Sequence, residues 1–504
     1  MRPLTAALAI GATGIGACGQ ADAGAVPSNS MSALSVEQPV ARIDSVVTAL
    51  FALDMAPGMA VVVVRDTAPI YMKGFGWADL EARRPVTPQT VFYVASTTKS
   101  FTGLGAAILD RQGKISLDAP LGRYLSGLRL ERGLSADSIT LRALLTHTHG
   151  IGHGPVDYRL AYTGEHEGNA HLARLLAEHA PAARGRAFQY GNIGYNVAAV
   201  AIDSAIGESW KHWLDRLLFT PLGMRSTTAY VSRIPGERLA MPYRVESSGF
   251  ARIPYGKTDA NMQSAGGLVT TAEDMARWLE AHINGGRLDG RQVLPADAVA
   301  ESHRVLAATS GRRRGLPVVG YGLGWNVVLM GADTLLEHGG GFSGFTTHMS
   351  FVPRHRVGVV VMINDNTPLA DMVAMEVYRA LLGRGPGLVP DSLVWARAEV
   401  ARMRERIGAE RARRAARPQN LPLPLSAYAG VYENPAWGRV ELVIVDGKLE
   451  ARAGVARSPV EVYDGAKHQL RVELTGGGTV VQMEVAGERV VAAVVDGVTY
   501  RKVR

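Results

Sequence analysis

The chain has 504 residues, of which 47% are hydrophobic and 20% charged, with a formal net charge of +8. That length suits two or three domains with a substantial core. The excess charge is modest, and the arginines between 397 and 417 alternate with Glu399, Glu405 and Glu410 as on a mixed-sign helix face, which argues against nucleic-acid binding.

At the N-terminus, Arg2 precedes an apolar run of small residues from 4 to 17, the pattern of an export signal. No long charge-free apolar run follows, so a membrane-spanning helix is not expected. The sole cysteine, Cys18, follows Ile15-Gly16-Ala17 and resembles a bacterial lipoprotein cleavage box, in which that cysteine is lipidated. Cleavage after Ala21-Asp22-Ala23 is the alternative and leaves a secreted protein. Residues 1–23 are therefore read as the signal and 24–39 as a tether. The expected location is the periplasm or the outer membrane, with a lipid anchor as the only membrane contact. With no other cysteine, the body holds no internal disulfide.

Residues 40–53 have helical spacing, and 59–64 and 70–72 read as two strands of a hairpin. A helix follows Ser96 and runs to about 111, with Gly113 placed to end it. The middle of the chain is helical: a Thr-capped segment at 139–146, then 172–179, 197–206, 210–218 and 275–283. The last is capped by Thr271, with Asp274 three residues on. Strand patterns return at 322–329, 334–337, 345–351 and 357–363, and a helix spans 368–382. Strands, helical insert, strands and helix predict an α+β fold: an antiparallel sheet built from both ends, flanked by helices, with a separate helical lobe. This domain is placed at 40–384. A linker with an amphipathic helix is placed at 385–424. Short strands punctuated by Asp446-Gly447, Asp464-Gly465 and Asp496-Gly497 then predict a small all-β, barrel-like domain at 425–504.

Three groups of residues carry chemistry. Ser96-Thr97-Thr98-Lys99 puts a hydroxyl near a helix N-terminus and an amine one turn on, on the same face. A helix N-terminus favours negative charge at Ser96, and Lys99 can accept its proton. Tyr190-Gly191-Asn192 offers a phenol and an amide, and His338-Gly339-Gly340-Gly341 lies between two predicted strands. Taken singly, Tyr190 and His338 read as ordinary core residues. Joined to Ser96 and Lys99, they read as a site.

With these motifs in this order, the chain resembles the serine β-lactamase and penicillin-binding-protein superfamily, in its class C β-lactamase, D,D-peptidase, D-aminopeptidase and esterase branch. Leu144-Leu145-Thr146-His147-Thr148-His149-Gly150, Ser264-Ala265-Gly266-Gly267-Leu268 and Tyr321-Gly322-Leu323-Gly324-Trp325 look like signatures of the same branch. The resemblance implies a β-lactamase/transpeptidase-like fold and an acyl-enzyme on Ser96. Lys99 or Tyr190 would take the serine proton, Asn192 would hold the substrate amide, and the backbone N–H groups of Ser96 and Gly341 would meet the oxyanion. Gly340 would let the strand come close to the substrate. No cofactor or metal is implied.

Many β-lactamases have Lys-Thr-Gly where this chain has His338-Gly339-Gly340. A permanent ammonium binds a substrate carboxylate, whereas histidine is mostly neutral at pH 7. Arg312, Arg313 and Arg314 are alternative carboxylate binders. The expected activity is therefore an amidase, peptidase or esterase acting on a small-molecule or peptide substrate, with β-lactamase or D,D-carboxypeptidase as the alternative. The pocket walls are expected from residues 153–186 and 243–263. Two rivals remain at this level. His147, His149 and His153 could hold zinc, although Ile151 stands where a metallo-hydrolase has aspartate. Alternatively, the chain is a catalytically silent, penicillin-binding-like surface lipoprotein whose β domain binds an unknown partner.

Overall fold

The computed structural model describes residues 37–130, 133–152, 154–179, 185–254, 256–383 and 390–503. The export signal, Cys18, most of the tether and His153 lie outside them. The chain divides between Gln38 and Pro39, and the description below concerns Pro39–Arg504. No helix among the described residues is long and apolar enough to cross a membrane.

After α1 (Glu37–Phe51), the hairpin of β1 (Gly58–Arg65) and β2 (Ala68–Asp79) opens an antiparallel sheet. Strands from the other end of the domain complete it: β3 (Leu316–Tyr321), β4 (Asn326–Met330), β5 (Asp333–Phe342), β6 (Phe345–Val352) and β7 (Val357–Ile363). Their order is β3-β4-β5-β6-β7-β1-β2, so β1 lies beside β7 with Val61 opposite Val361. The unbroken valine run of β1 follows from burial on both faces. Ala60, Val62 and Val64 enter the core shared with the helical lobe. Met59, Val61 and Val63 enter a second core with α1 and the final helix of the domain, Leu369–Leu382.

The helical lobe comprises α2 (Thr98–Arg111), α3 (Leu141–Leu145), α4 (Asn169–His179), α5 (Ile193–Ile206) and α6 (Ala272–Ile283), with shorter turns between them. The two predicted caps are present: Thr140 accepts from the Ala143 N–H, and Thr271 from the Asp274 N–H. The expected strand at 322–329 is instead a tight turn over 322–325, directly after β3, followed by β4. Gly322 N–H donates to the Trp325 carbonyl, and Gly324 has φ +84°. A Cβ at Gly324 would lie 2.4 Å from Ser100 Cα, so the turn packs on the backbone of α2. The strand expected to end at Glu337 continues through the glycines to Phe342.

A helix of residues 390–415, α7, leads to the C-terminal sheet. Its antiparallel strands are β8 (Gly430–Asn434), β9 (Gly438–Val445), β10 (Lys448–Ala453), β11 (Ala456–Pro459), β12 (Glu461–Asp464), β13 (Gln469–Val472), β14 (Thr479–Ala486), β15 (Arg489–Val495) and β16 (Val498–Lys502). The order β11-β10-β9-β8-β16-β15-β14-β13-β12 places consecutive strands β11 and β12 at the two edges. The Glu473 N–H, at the end of β13, donates to Ser458 Oγ on β11, so the sheet rolls up into a barrel around one apolar interior. The barrel docks on the helical lobe through residues 158–165. Arg159 donates to the carbonyls of Ala436 (2.7 Å) and Pro435 (3.1 Å), and the Val455 N–H donates to the Thr163 carbonyl (2.9 Å).

Candidate active site

Ser96 lies in a 3-10 turn, Ala95–Thr97, that runs directly into α2. The turn is entered through Ala95 at φ +45°, a left-handed conformation that costs a non-glycine residue about 1–3 kcal/mol. The polar first turns of α2 are buried because segment 264–268 satisfies them. Thr98 Oγ1 accepts from the Leu268 N–H (3.2 Å), and Thr102 Oγ1 donates to the Ser264 carbonyl (2.7 Å).

Lys99 is fully buried. Its Nζ lies 3.1 Å from Ser96 Oγ, 2.8 Å from Asn192 Oδ1 and 2.7 Å from the Ala265 carbonyl. The rings of Tyr190 and Tyr195 stand 5.0 and 5.6 Å from the same nitrogen. Asn192 is the residue before α5, and Tyr190, two residues earlier, is 42% exposed. His147 holds this segment: its carbonyl accepts from the Gln189 N–H (2.9 Å), its Nδ1 from the Gly191 N–H (3.4 Å), and its ring packs 4.7 Å from that of Tyr190. Burial, reinforced by nearby Lys99, holds the His147 imidazole well below its ordinary pKa.

The glycine strand closes the other side. A Cβ on Gly340 would sit 2.1 Å from the Val94 carbonyl, so glycine alone lets β5 run against the turn that carries Ser96. His338 is buried, with Nδ1 2.8 Å from the Gly339 carbonyl and Nε2 3.2 Å from the Tyr321 hydroxyl. A carbonyl only accepts, so Nδ1 carries the proton and Nε2 accepts from Tyr321. Burial, with Lys99 and Arg313 nearby, holds His338 well below its ordinary pKa, and it is neutral at pH 7. Glu337 faces the opposite side of the strand, as alternation requires, and pairs with Arg314 and with Arg313 Nε (2.5 Å).

A cavity of about 300 Å³ opens among Ser96, Tyr190, His338, Gly340 and Gly341, and Arg313 forms part of its wall. Lys99 and Asn192 stand behind Ser96 through the bonds given above. The proposed site residues are thus brought together. Of the three arginines, Arg313 reaches the cavity, Arg312 donates to the Gly315 carbonyl, and Arg314 turns to Glu337 and Asp371. None of the described residues in the expected walls, 153–186 and 243–263, lines this cavity. Asn326, Thr346, Thr347 and Asp371 do, because the segment around residues 158–165 is taken up by the barrel. Sequence reasoning missed the Ala265 carbonyl, Tyr321 and the bracketing role of His147. All three lie inside motifs it singled out.

The histidine cluster is differently engaged. Nδ1 of His147 and of His149 accept backbone N–H groups from Gly191 and Ile151. Among the described residues, no three His, Cys, Asp or Glu side chains gather as they would around a metal ion.

The Beta-lactamase family model matches residues 44–384. Protein flp of Staphylococcus aureus (strain MW2) is 23% identical over 336 residues, 65% of this chain, and the chain spans 63% of that relative's length. The unguisins hydrolase ungD of Aspergillus violaceofuscus (strain CBS 115571) is 26% identical over 471 residues, 85% of this chain and 82% of that protein. Among solved structures, the D-amino acid amidase from Ochrobactrum anthropi SV3, complexed with L-phenylalanine amide, superposes with a TM-score of 0.57 at 20% identity. It covers 68% of this chain and 99% of the amidase, a likeness of fold.

Proposed function

The chain belongs to the Beta-lactamase family, and we propose that it is a serine hydrolase with Ser96 as its nucleophile, acting through an acyl-enzyme on an amide, peptide or ester as a D-amino-acid peptidase or amidase or as an esterase. The observation that carries this reading is the bonding of Lys99. Asn192 Oδ1 and the Ala265 carbonyl fix the nitrogen from two sides, and its third contact is Ser96 Oγ at 3.1 Å, within reach of the hydroxyl proton.

Ser96 Oγ attacks the substrate carbonyl carbon while its proton passes to Lys99 Nζ. The oxyanion is met by the N–H groups of Ser96 and Gly341, each worth about 3 kcal/mol of barrier. Tyr190, half exposed at the cavity mouth, delivers a proton to the departing amine or alcohol. Water then attacks the acyl-enzyme, with Lys99 and Tyr190 exchanging the proton in reverse. Asn192 keeps its side-chain NH₂ for the substrate carbonyl.

The neutral, buried His338 supports amide and ester substrates over β-lactams, because no permanent ammonium stands on the glycine strand. The names of two similar proteins, a D-amino acid amidase and an unguisins hydrolase, support the same class. A second reading, a D,D-carboxypeptidase, is favoured by Arg313, whose guanidinium reaches the cavity wall and can take a substrate carboxylate. A panel of D-amino-acid amides, D-Ala-D-Ala peptides, short-chain esters and a chromogenic cephalosporin tests both. Turnover of the cephalosporin far above the rest would overturn the amidase and esterase reading.

Export as a lipoprotein anchored through Cys18 belongs to the same proposal, supported by the position of the sole cysteine. The mass of the mature N-terminus from a bacterial host tests it: a diacylated Cys18 supports it, and a free chain starting after Ala23 contradicts it.

A further inference from the structure

The interior of the C-terminal barrel is not filled. A cavity of about 260 Å³ lies inside it, walled by Leu442, Leu470, Val481 and Trp437 and by two alanines, Ala451 and Ala493, where larger side chains would close it. Small barrels are usually packed solid by their inward side chains, and those that leave space hold one small ligand. An apolar void of this kind repels water and destabilises the fold while empty.

The strand order shows where the cavity opens. The turns at 435–437, 454–455, 473–478 and 496–497 all lie at one end of the barrel, because alternate strands of an antiparallel sheet begin there. That end carries the polar lining groups Thr475, Thr479 and Asp496. It is also the end docked on the helical lobe, through Arg159 to Ala436 and Val455 to Thr163. Tyr158 of the helical lobe lines the cavity and packs tilted against Trp437, ring centres 5.6 Å apart. From Tyr158 the rings continue to Tyr162 (6.1 Å) and then to Phe342 (5.9 Å), the residue after Gly341 in β5. The mouth therefore lies on the flank of the cavity that holds Ser96.

We propose that the barrel binds one saturated hydrocarbon chain of about eight carbons, since roughly 260 Å³ holds about eight groups of water size at about 30 Å³ each. The head of that chain is uncharged or cationic. Among the cavity-lining residues the one charged side chain is Asp496, at the mouth, and the nearby Arg159 guanidinium is engaged by the carbonyls of Ala436, Pro435 and Glu165. This inference is independent of the substrate reading above.

Calorimetric titration of the full chain with octyl glucoside, octylamine and octanoate, each below its micellar concentration, tests it. One saturable site is expected for the first two, with octanoate at least tenfold weaker. In an alkyl glucoside series, affinity should rise with chain length to about eight carbons and then level off or fall. Ala493→Phe and Ala451→Leu each fill the void and should weaken octyl glucoside at least tenfold, with hydrolysis of a short-chain ester unchanged within twofold. The absence of a saturable site in the parent protein overturns the proposal, as does an affinity that keeps climbing with chain length. Undiminished binding in whichever variant retains ester hydrolysis also overturns it.

Discussion

Lys99 Nζ donates to the Ala265 carbonyl over 2.7 Å, so the nitrogen beside Ser96 is anchored to a segment 166 residues away. That bond, with the one to Asn192, fixes the nitrogen within reach of Ser96 Oγ. Lys99→Met removes the proposed proton acceptor and should lower kcat by about 10²–10⁴-fold. Steady-state kinetics on the best substrate of the panel, with circular dichroism to confirm folding, checks this. A loss of less than tenfold would assign the proton to another group.

On the proposed mechanism His147 is a positioning residue that acts through Tyr190, against which its ring packs. It occupies φ +60°, which asparagine also tolerates, so His147→Asn keeps the backbone turn and removes the ring packed on Tyr190. We expect kcat to fall about tenfold with KM within twofold of the parent value. A change confined to KM would place His147 in substrate binding instead.

Arg313→Ala separates the carboxypeptidase reading from the amidase reading. A charge-assisted hydrogen bond is worth about 1.5–3 kcal/mol, so KM for a D-Ala-D-Ala peptide with a free carboxylate should rise about ten- to a hundredfold. KM for the corresponding C-terminal amide should stay unchanged. Equal effects on both would show that Arg313 acts only through its pairing with Glu337.

Asp365, buried in the loop after β7, sets a pH dependence of stability. Burial pushes its carboxyl up to about 8, with Glu246 acting the same way, against the opposing pull of the Asn366 N–H and Arg404. The folded state therefore binds a proton that the unfolded state releases near pH 4. The stability gained from this proton is full below pH 4 and is lost as pH rises through about 8. Asp365→Asn should raise Tm at pH 9 by roughly 1–2 °C, as about 1 kcal/mol would in a domain of about 345 residues, and should give no gain at pH 4. Equal shifts at both pH values would contradict it.

Much of the fold was legible because local patterns agreed with the tertiary outcome. The valine run of β1, the Thr140 and Thr271 caps and the Asp-Gly turns of the barrel each specify their element without help from distant residues. The glycine strand was read too short because its reason is non-local: Gly340 is glycine on account of the Val94 carbonyl, 246 positions earlier. The same holds at the site. The side chains of Ser96, Lys99, Tyr190, Asn192 and His338 announce themselves by type and spacing. The Ala265 carbonyl and the His147 brace do not, since a backbone acceptor has no residue-type signature and a bracing histidine looks like any other. The pocket walls were misplaced because no local signal tells that residues 158–165 are occupied by a barrel that begins some 260 positions later.

The most direct measurement is intact-mass analysis after exposure to a fluorophosphonate. One phosphonyl group should add to the parent protein and map to Ser96, it should add at least a hundredfold more slowly to Lys99→Met, and none should add to Ser96→Ala. A parent protein that stays unlabelled, or a Ser96→Ala variant that labels at the parent rate, would contradict nucleophilic catalysis by Ser96.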